Sequence, residues 1–335
     1  MPQESNSETT EKPNASSLVS LVVPVFNEVG NIEPLIDAID TAMPSNVHYE
    51  FIFIDDGSND GTVHKISAAG ANRDNIRLIV FTRNFGHQAA IMAGIEAASG
   101  DAVITLDADL QHPPRHIPTM IEHWLNGAVI VQMVRESTAN ISLSKRLFSS
   151  AFYKIINWLS YTPVQPNAAD FRLLDRVAVE QLKRMGDREP FLRATLGWLG
   201  FETKMVEFSA DKRHAGKSSY SLRQNLGLVV RSLTSLSKLP LRISLYLGLL
   251  VAVIAVALGI FATVAYVNGN TVPGWTSIVI PVFFIGAVQL VILGVIGEYL
   301  GILYDQSRRL PTYVAYPEEK INPTALPNIP SNNID

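Results

Sequence analysis

The chain has 335 residues, 27 Lys plus Arg, 31 Asp plus Glu, no Cys and a formal net charge of -4. Only 17% of residues are charged and the mean hydropathy is +0.17, against about 25% charged in an ordinary soluble domain. The absence of Cys excludes disulfides, thiolate zinc sites and a Cys nucleophile; the mildly acidic balance speaks against a nucleic-acid partner; the apolar share excludes disordered and collagenous classes.

Residues 1–17 are polar and aperiodic, which predicts a disordered tail without the apolar stretch of a signal peptide. From residue 18 to about 218 the chain reads as one α/β domain. Apolar runs (LVSLVVPVF, FIFIDD, IRLIVF, AVITLDAD, AVIVQMV) alternate with amphipathic segments around 31–43, 62–70, 87–99 and 116–126. That order predicts βαβ units and a mostly parallel sheet. Two basic amphipathic stretches, 144–161 and 219–240, are expected to lie on a lipid surface, with an ordinary core-facing helix as the alternative.

The missing charge is concentrated in the C-terminal third. Ile243–Val267 and Thr276–Gly297 are uncharged throughout. At about 1.5 Å rise per residue each exceeds the roughly 30 Å hydrocarbon core of a bilayer. The reading is a transmembrane hairpin over 241–304, with spans at about 243–267 and 276–297 and a tail over 305–335. Lys238, Arg242, Arg308 and Arg309 flank the pair, and the loop Asn268–Trp275 has no Lys or Arg. The positive-inside rule then predicts a multi-pass protein of the inner (cytoplasmic) membrane with the domain and both termini cytoplasmic. Tyr246, Tyr266, Trp275, Tyr299 and Tyr304 fall where interfacial belt residues occur.

Three acidic clusters follow strands. Asp107, Asp109 and Gln111 leave the run AVITL, where ligands gather in open α/β sheets. Their hard oxygens suit Mg²⁺ or Mn²⁺, an ion that takes one or two carboxylates and completes its shell with substrate phosphates. The alternative is Asp107 as a helix cap and Asp109 as turn chemistry. Asp55 and Asp56 follow FIFI; turn and cap chemistry explains residues 57–62, but two consecutive carboxylates also suit a base or ribose. Pro24, Phe26 and Glu28 end the first run. His87 and His112 lack a second His or Glu at ligand spacing, so hydrogen bonding is the expected role.

VVPVFNE, IDDGSNDGT, RNFGHQAA and LDADLQHPP occur in this order. The set resembles glycosyltransferase family 2, which implies a GT-A (Rossmann-like) nucleotide-sugar fold. QMVRE, NAADFRLLDR, RHAGKSSY and the hairpin resemble its polyisoprenyl-phosphate glycosyltransferases, the bactoprenol glucosyltransferases more closely than the dolichol-phosphate mannose synthases. The resemblance implies a nucleoside cradle at Pro24, Phe26 and Glu28. It implies base contact by Asp55 or Asp56, Asp107 facing the nucleotide, and Asp109 and Gln111 as metal ligands. Asp170 matches the position proposed as catalytic base. A phosphate monoester acceptor, with its second pKa near 6, needs little deprotonation, so orienting the acceptor or forming a structural ion pair are rival roles. The acceptor phosphate needs cations: Arg135, Lys145, Arg146, Arg213 and Lys217, with Ser218, against a solvated or headgroup-facing surface. Arg172 is either such a cation or the structural partner of Asp175.

The implied reaction is inverting transfer of a hexose, glucose from UDP-glucose first, to an undecaprenyl-type phosphate, giving a lipid-linked sugar for the cell envelope. GDP-mannose, UDP-N-acetylglucosamine and a UDP-aminoarabinose are the other donors, and a homo-tetramer is suggested. A processive polysaccharide synthase fits less well, since Gln181–Met185 has Met where that class has Trp. An inactive membrane scaffold is the remaining rival.

Overall fold

Leu18–Val25 is apolar apart from Ser20 and Pro24 and lies almost wholly buried, as a strand covered on both faces must be. It is an interior strand of the sheet. The computed structural model describes residues 17–136, 168–185, 192–209, 239–268, 274–308 and 310–317. In chain order these form β1 (Leu18–Val25), α1 (Ile32–Ala42), β2 (His48–Asp55), α2 (Thr62–Gly70), β3 (Ile76–Val80), α3 (His87–Ala97), β4 (Ala102–Thr105), α4 (Ile117–Leu125) and β5 (Ile130–Arg135). Then come β6 (Ala168–Asp175), α5 (Arg176–Met185), α6 (Leu192–Leu199), β7 (Thr203–Phe208), α7 (Leu239–Val267) and α8 (Trp275–Ser307).

The seven strands are ordered β3-β2-β1-β4-β6-β5-β7. All neighbours are parallel except β6, which runs antiparallel between β4 and β5. The mostly parallel sheet expected from the sequence is therefore present, with one reversed strand. That reversal has a consequence for chemistry. Thr105 pairs with Arg172 and Val134 with Ala168. The start of β6 thus meets the carboxyl ends of β4 and β5, the edge where α/β sheets hold ligands.

Side chains alternate across the sheet into two apolar layers. Val19, Leu21, Val23, Phe51 and Phe53 pack with α1 and α4. Val22, Ile52 and Ile54 pack with α3, α5 and α6. Helix α3 is buried along Ala89–Ile95, and its small residues allow a close approach. A Cβ on Gly94 would lie 2.3 Å from Val22 Cγ1 and 2.7 Å from Ile54 Cδ1.

The C-terminal chain departs from the expected tail. Helix α8 continues to Ser307, and residues 311–317 belong to the sheet domain. Ala315 forms an antiparallel bridge with Phe81. Thr82 N–H donates to Val314 O at 2.9 Å and Tyr316 N–H to Val80 O at 2.8 Å. The proline- and asparagine-containing stretch reads as a tail, and its pairing to a strand edge was not legible, because prolines at 311 and 317 flank the paired residues.

Helices α7 and α8 belong to a second unit. Within it they pack on each other, with Gly248 close to Ile292. Each holds an 18-residue window apolar enough to cross a membrane, Ser244–Phe261 at mean hydropathy 2.5 and Phe284–Gly301 at 1.8, of which 11% and 0% is buried. Large apolar side chains such as Leu245, Phe261 and Leu290 face outward. The amphipathic segments expected at 144–161 and 219–240 lie outside the described residues, apart from the first turn of α7.

Candidate active site

The turn after β4 is built to present its acids. Leu106 N–H extends the β1 pairing by donating to Val22 O at 3.1 Å. Leu110 then adopts φ +62°, a left-handed conformation uncommon outside Gly, Asn and Asp. Two hydrogen bonds hold the turn. Gln111 N–H donates to Asp109 Oδ1 at 3.0 Å, and Asp107 N–H donates to His112 Nδ1 at 3.1 Å. His112 stacks on Phe171 with centroids 5.3 Å apart and meets the edge of Phe208. Burial pulls the His112 imidazole below its usual range. It is therefore neutral near pH 7, and its acceptor Nδ1 places the proton on Nε2. This is the hydrogen-bonding role expected of it.

The cluster closes around this turn. Arg135, leaving β5, donates from Nη2 to Gln111 Oε1 at 3.2 Å. Thr105 Oγ1 donates to Asp170 O at 2.8 Å, fixing the start of β6 against β4. Arg172, 1% exposed, ion-pairs with the carboxylate of Asp170, 12% exposed, and donates to Ala169 O at 3.2 Å. Of the two roles expected of Arg172, pairing with Asp175 is thereby corrected. The reason is register: Asp175 lies at the far end of β6 opposite Ala102. There it accepts from Trp124 Nε1 at 2.7 Å and Val177 N–H at 2.8 Å.

His87 joins the acids. Its Nε2 is 3.3 Å from Asp107 Oδ1 and 3.8 Å from Asp170 Oδ2. The imidazole thus bridges the turn after β4 and the start of β6. Sequence reasoning kept it out of the site residues. Its one local signal was a His at the start of a helix straight after a Gly, and only the reversed β6 brings Asp170 within reach.

The second acidic pair is spent largely on the fold. Asp56 accepts N–H bonds from Phe85 at 2.6 Å and from Gly86 at 3.0 Å. Burial pushes its carboxyl up to about 6. Asp55, fully buried, accepts Ser58 N–H at 2.9 Å; its Oδ1 accepts nothing among the described residues, and burial raises its pKa. Gly57, at φ +78°, lies so close to the Arg83–Asn84 backbone that a Cβ would be 2.7 Å from a carbonyl carbon. Ser58, Asp60 and Thr62 accept from Asn27, Val29 and Glu28 N–H, so the loops after β1 and β2 are laced together. Pro24 is buried in β1 opposite Ile54. Phe26 is 44% exposed, an apolar ring in water at the ligand edge. The Glu28 carboxylate accepts from Asn31 Nδ2.

The structure brings together Asp107, Asp109, Gln111, Arg135 and Asp170, and adds His87. Lys145, Arg146, Arg213, Lys217 and Ser218 lie outside the described residues. Among the described residues no group of three His, Asp or Glu forms a metal cage.

Residues 20–183 match the model of Glycosyl transferase family 2. A bactoprenol glucosyl transferase of Shigella phage SfV is 38% identical over 306 residues, covering 90% of this chain and 99% of that protein. The chain belongs to glycosyltransferase family 2. It has the GT-A-like fold of that family and is a glycosyltransferase. An uncharacterized glycosyltransferase of Synechocystis is 33% identical over 91% of this chain and 99% of its own. A prophage bactoprenol glucosyl transferase homolog of Escherichia coli K12 is 36% identical over 88% and 97%. The solved glucosyl-3-phosphoglycerate synthase of Mycobacterium tuberculosis aligns with a TM-score of 0.44 and 19% identity over 66% of this chain and 78% of that one, too distant to inform the site.

Proposed function

We propose that this glycosyltransferase moves one hexose, glucose from UDP-glucose, onto a polyisoprenyl (undecaprenyl-type) phosphate at the cytoplasmic face of the membrane. The observation that carries this reading is the convergence of the Asp107–Gln111 turn with Arg135 and Asp170. It occurs in a chain whose relatives, matched over nearly their whole length, are named bactoprenol glucosyl transferase. The two exposed apolar helices support a membrane location, where a lipid acceptor is available.

The acceptor phosphate is its own nucleophile. An oxygen attacks the anomeric carbon from the face opposite the diphosphate. The bond to the β-phosphate oxygen breaks, its electron pair leaves with the nucleotide, and the configuration inverts. A dianionic phosphate near pH 7 has no proton to surrender, so a strong base is unnecessary. Asp170 suits an orienting role, since Oδ1 is committed to Arg172. Arg135 meets phosphate charge as a fork of N–H donors. Phe26 offers an apolar face to a nucleoside, and Asp55 Oδ1 remains an acceptor for a base N–H.

Asp109 and Gln111 fit a divalent cation, Mg²⁺ or Mn²⁺. They offer a carboxylate and an amide oxygen on one turn, and Gln111 Oε1 keeps a second lone pair beside its bond from Arg135. Such an ion completes its shell with substrate phosphates. Bound there, it stabilises the leaving diphosphate as a Lewis acid.

The test is transfer of radiolabelled sugar to undecaprenyl phosphate in detergent micelles. UDP-glucose and GDP-mannose are offered separately, with Mg²⁺, Mn²⁺ or EDTA. Lipid-phase label from UDP-glucose that EDTA abolishes is the expected result. Label from GDP-mannose alone overturns the donor; a water-soluble polymer overturns the acceptor.

A further inference from the structure

The loop Thr82–Gly86 is the element that delivers His87 to the acidic cluster, and it is pinned from two sides. On one side Asp56 takes the Phe85 and Gly86 N–H groups, and Gly57 abuts Arg83 and Asn84. On the other side lies the segment that follows α8. We propose that Pro311–Pro317 is a positioning element of the active site: it adds an antiparallel bridge where β3 becomes this loop, and so fixes His87 beside Asp107 and Asp170.

The contacts are directed at the loop rather than at the strand's middle. Thr82, the residue after the bridged Phe81, gives its N–H to Val314. The Tyr313 ring stacks on the fully buried Phe81 with centroids 4.7 Å apart and planes 16° from parallel. Phe81 in turn meets Phe85 edge-on at 5.7 Å, and Arg83 lies 4.1 Å over the Phe85 ring. The Tyr313 hydroxyl donates to Glu96 on α3 at 3.0 Å, and burial keeps it protonated. One side chain therefore ties the strap to the strand before the loop and to the helix after it. A strap serving only to cover an edge has no need of a bond to α3. The inference rests on the glycosyl-transfer reading only for which reaction His87 serves.

The experiment uses the full chain in detergent and reads hydrogen exchange at the Phe85 and Gly86 amides, which needs no substrate. Tyr313→Ala is expected to speed their exchange roughly tenfold, in keeping with loss of an aromatic stack and local opening. Amides of Leu21–Val23 should hold. Tyr313→Phe, which keeps the ring but loses the bond to Glu96, should fall between wild type and Tyr313→Ala. Tyr316→Pro, which removes the edge donor to Val80 together with the Tyr316 ring, reads the same amides if Tyr313→Ala unfolds the domain. In parallel, sugar transfer by Tyr313→Ala should fall with kcat lowered and Tyr313→Phe recovering part of it. Unchanged protection of Phe85 and Gly86 in both Tyr313→Ala and Tyr316→Pro overturns the proposal. Wild-type chain that transfers no sugar while the variants lose protection overturns the functional reading and leaves the strap in place.

Discussion

At the scale of single residues, two carboxylates of similar motif rank do different work. Asp170 is bound to a buried guanidinium, whereas Asp109 accepts one backbone N–H in its own turn. Removing one partner of a buried ion pair costs about 3–5 kcal/mol. Asp170→Asn should therefore lower the thermal midpoint well below that of Asp109→Asn. Per folded molecule, Asp109→Asn should lose more transfer activity, about hundredfold or more, the scale of one lost transition-state contact. A folded, wholly inactive Asp170→Asn beside a milder Asp109→Asn refutes this. Asp56 gives a pH signature. Its carboxyl lies at about 6 in the fold, against about 3.9 in an unfolded chain. The folded state thus binds the proton more tightly. That contribution to stability is full below about pH 4 and is lost as pH rises through about 6. The two-unit difference corresponds to about 2–3 kcal/mol. Melts of wild type against Asp56→Asn should diverge across that window and run parallel above it.

At the scale of elements, close packing of α3 sets the site. His87 begins a helix whose Gly94 meets Val22 and Ile54 without room for a Cβ. Gly94→Val forces a shift of the helix or the sheet. Overpacking of this kind costs about 1–3 kcal/mol; it should lower the melting midpoint and, by displacing His87, activity with it. A lowered midpoint with full activity would separate the two. The same element shows what was legible beforehand. Strands β1 to β4 announced themselves as apolar runs, and β1 and β4 are buried almost throughout. Strand β6 did not, because Asp170, Arg172 and Asp175 interrupt its run; only the folded partners of those charges make burial tolerable. The acidic turn after β4 was readable from residue types and spacing. His87 was not, because its partners come from β4 and from a reversed strand more than eighty positions away. The strap was hidden by its flanking prolines.

At the scale of the whole molecule, the sequence itself supplies a topology probe. The chain has no Cys, so a single introduced thiol is unique. Asn270→Cys, between the two apolar helices, should react with a membrane-impermeant maleimide added outside intact spheroplasts. A thiol placed near the N-terminus should react only after permeabilisation. The reverse pattern overturns the orientation drawn from Lys238, Arg242, Arg308 and Arg309. The strap adds a matter of timing. A chain is made from its N-terminus and domains generally fold in that order, yet the sheet domain recruits residues 311–317 from beyond both apolar helices. During synthesis the β3 edge must wait, bare at its Val80–Thr82 end, until the whole hairpin has been translated. An uncovered edge is a template for stray pairing. Maturation of the sheet domain is therefore gated by synthesis of both apolar helices: a nascent protein stalled before its last helix carries every acid of the candidate site and an unfinished sheet.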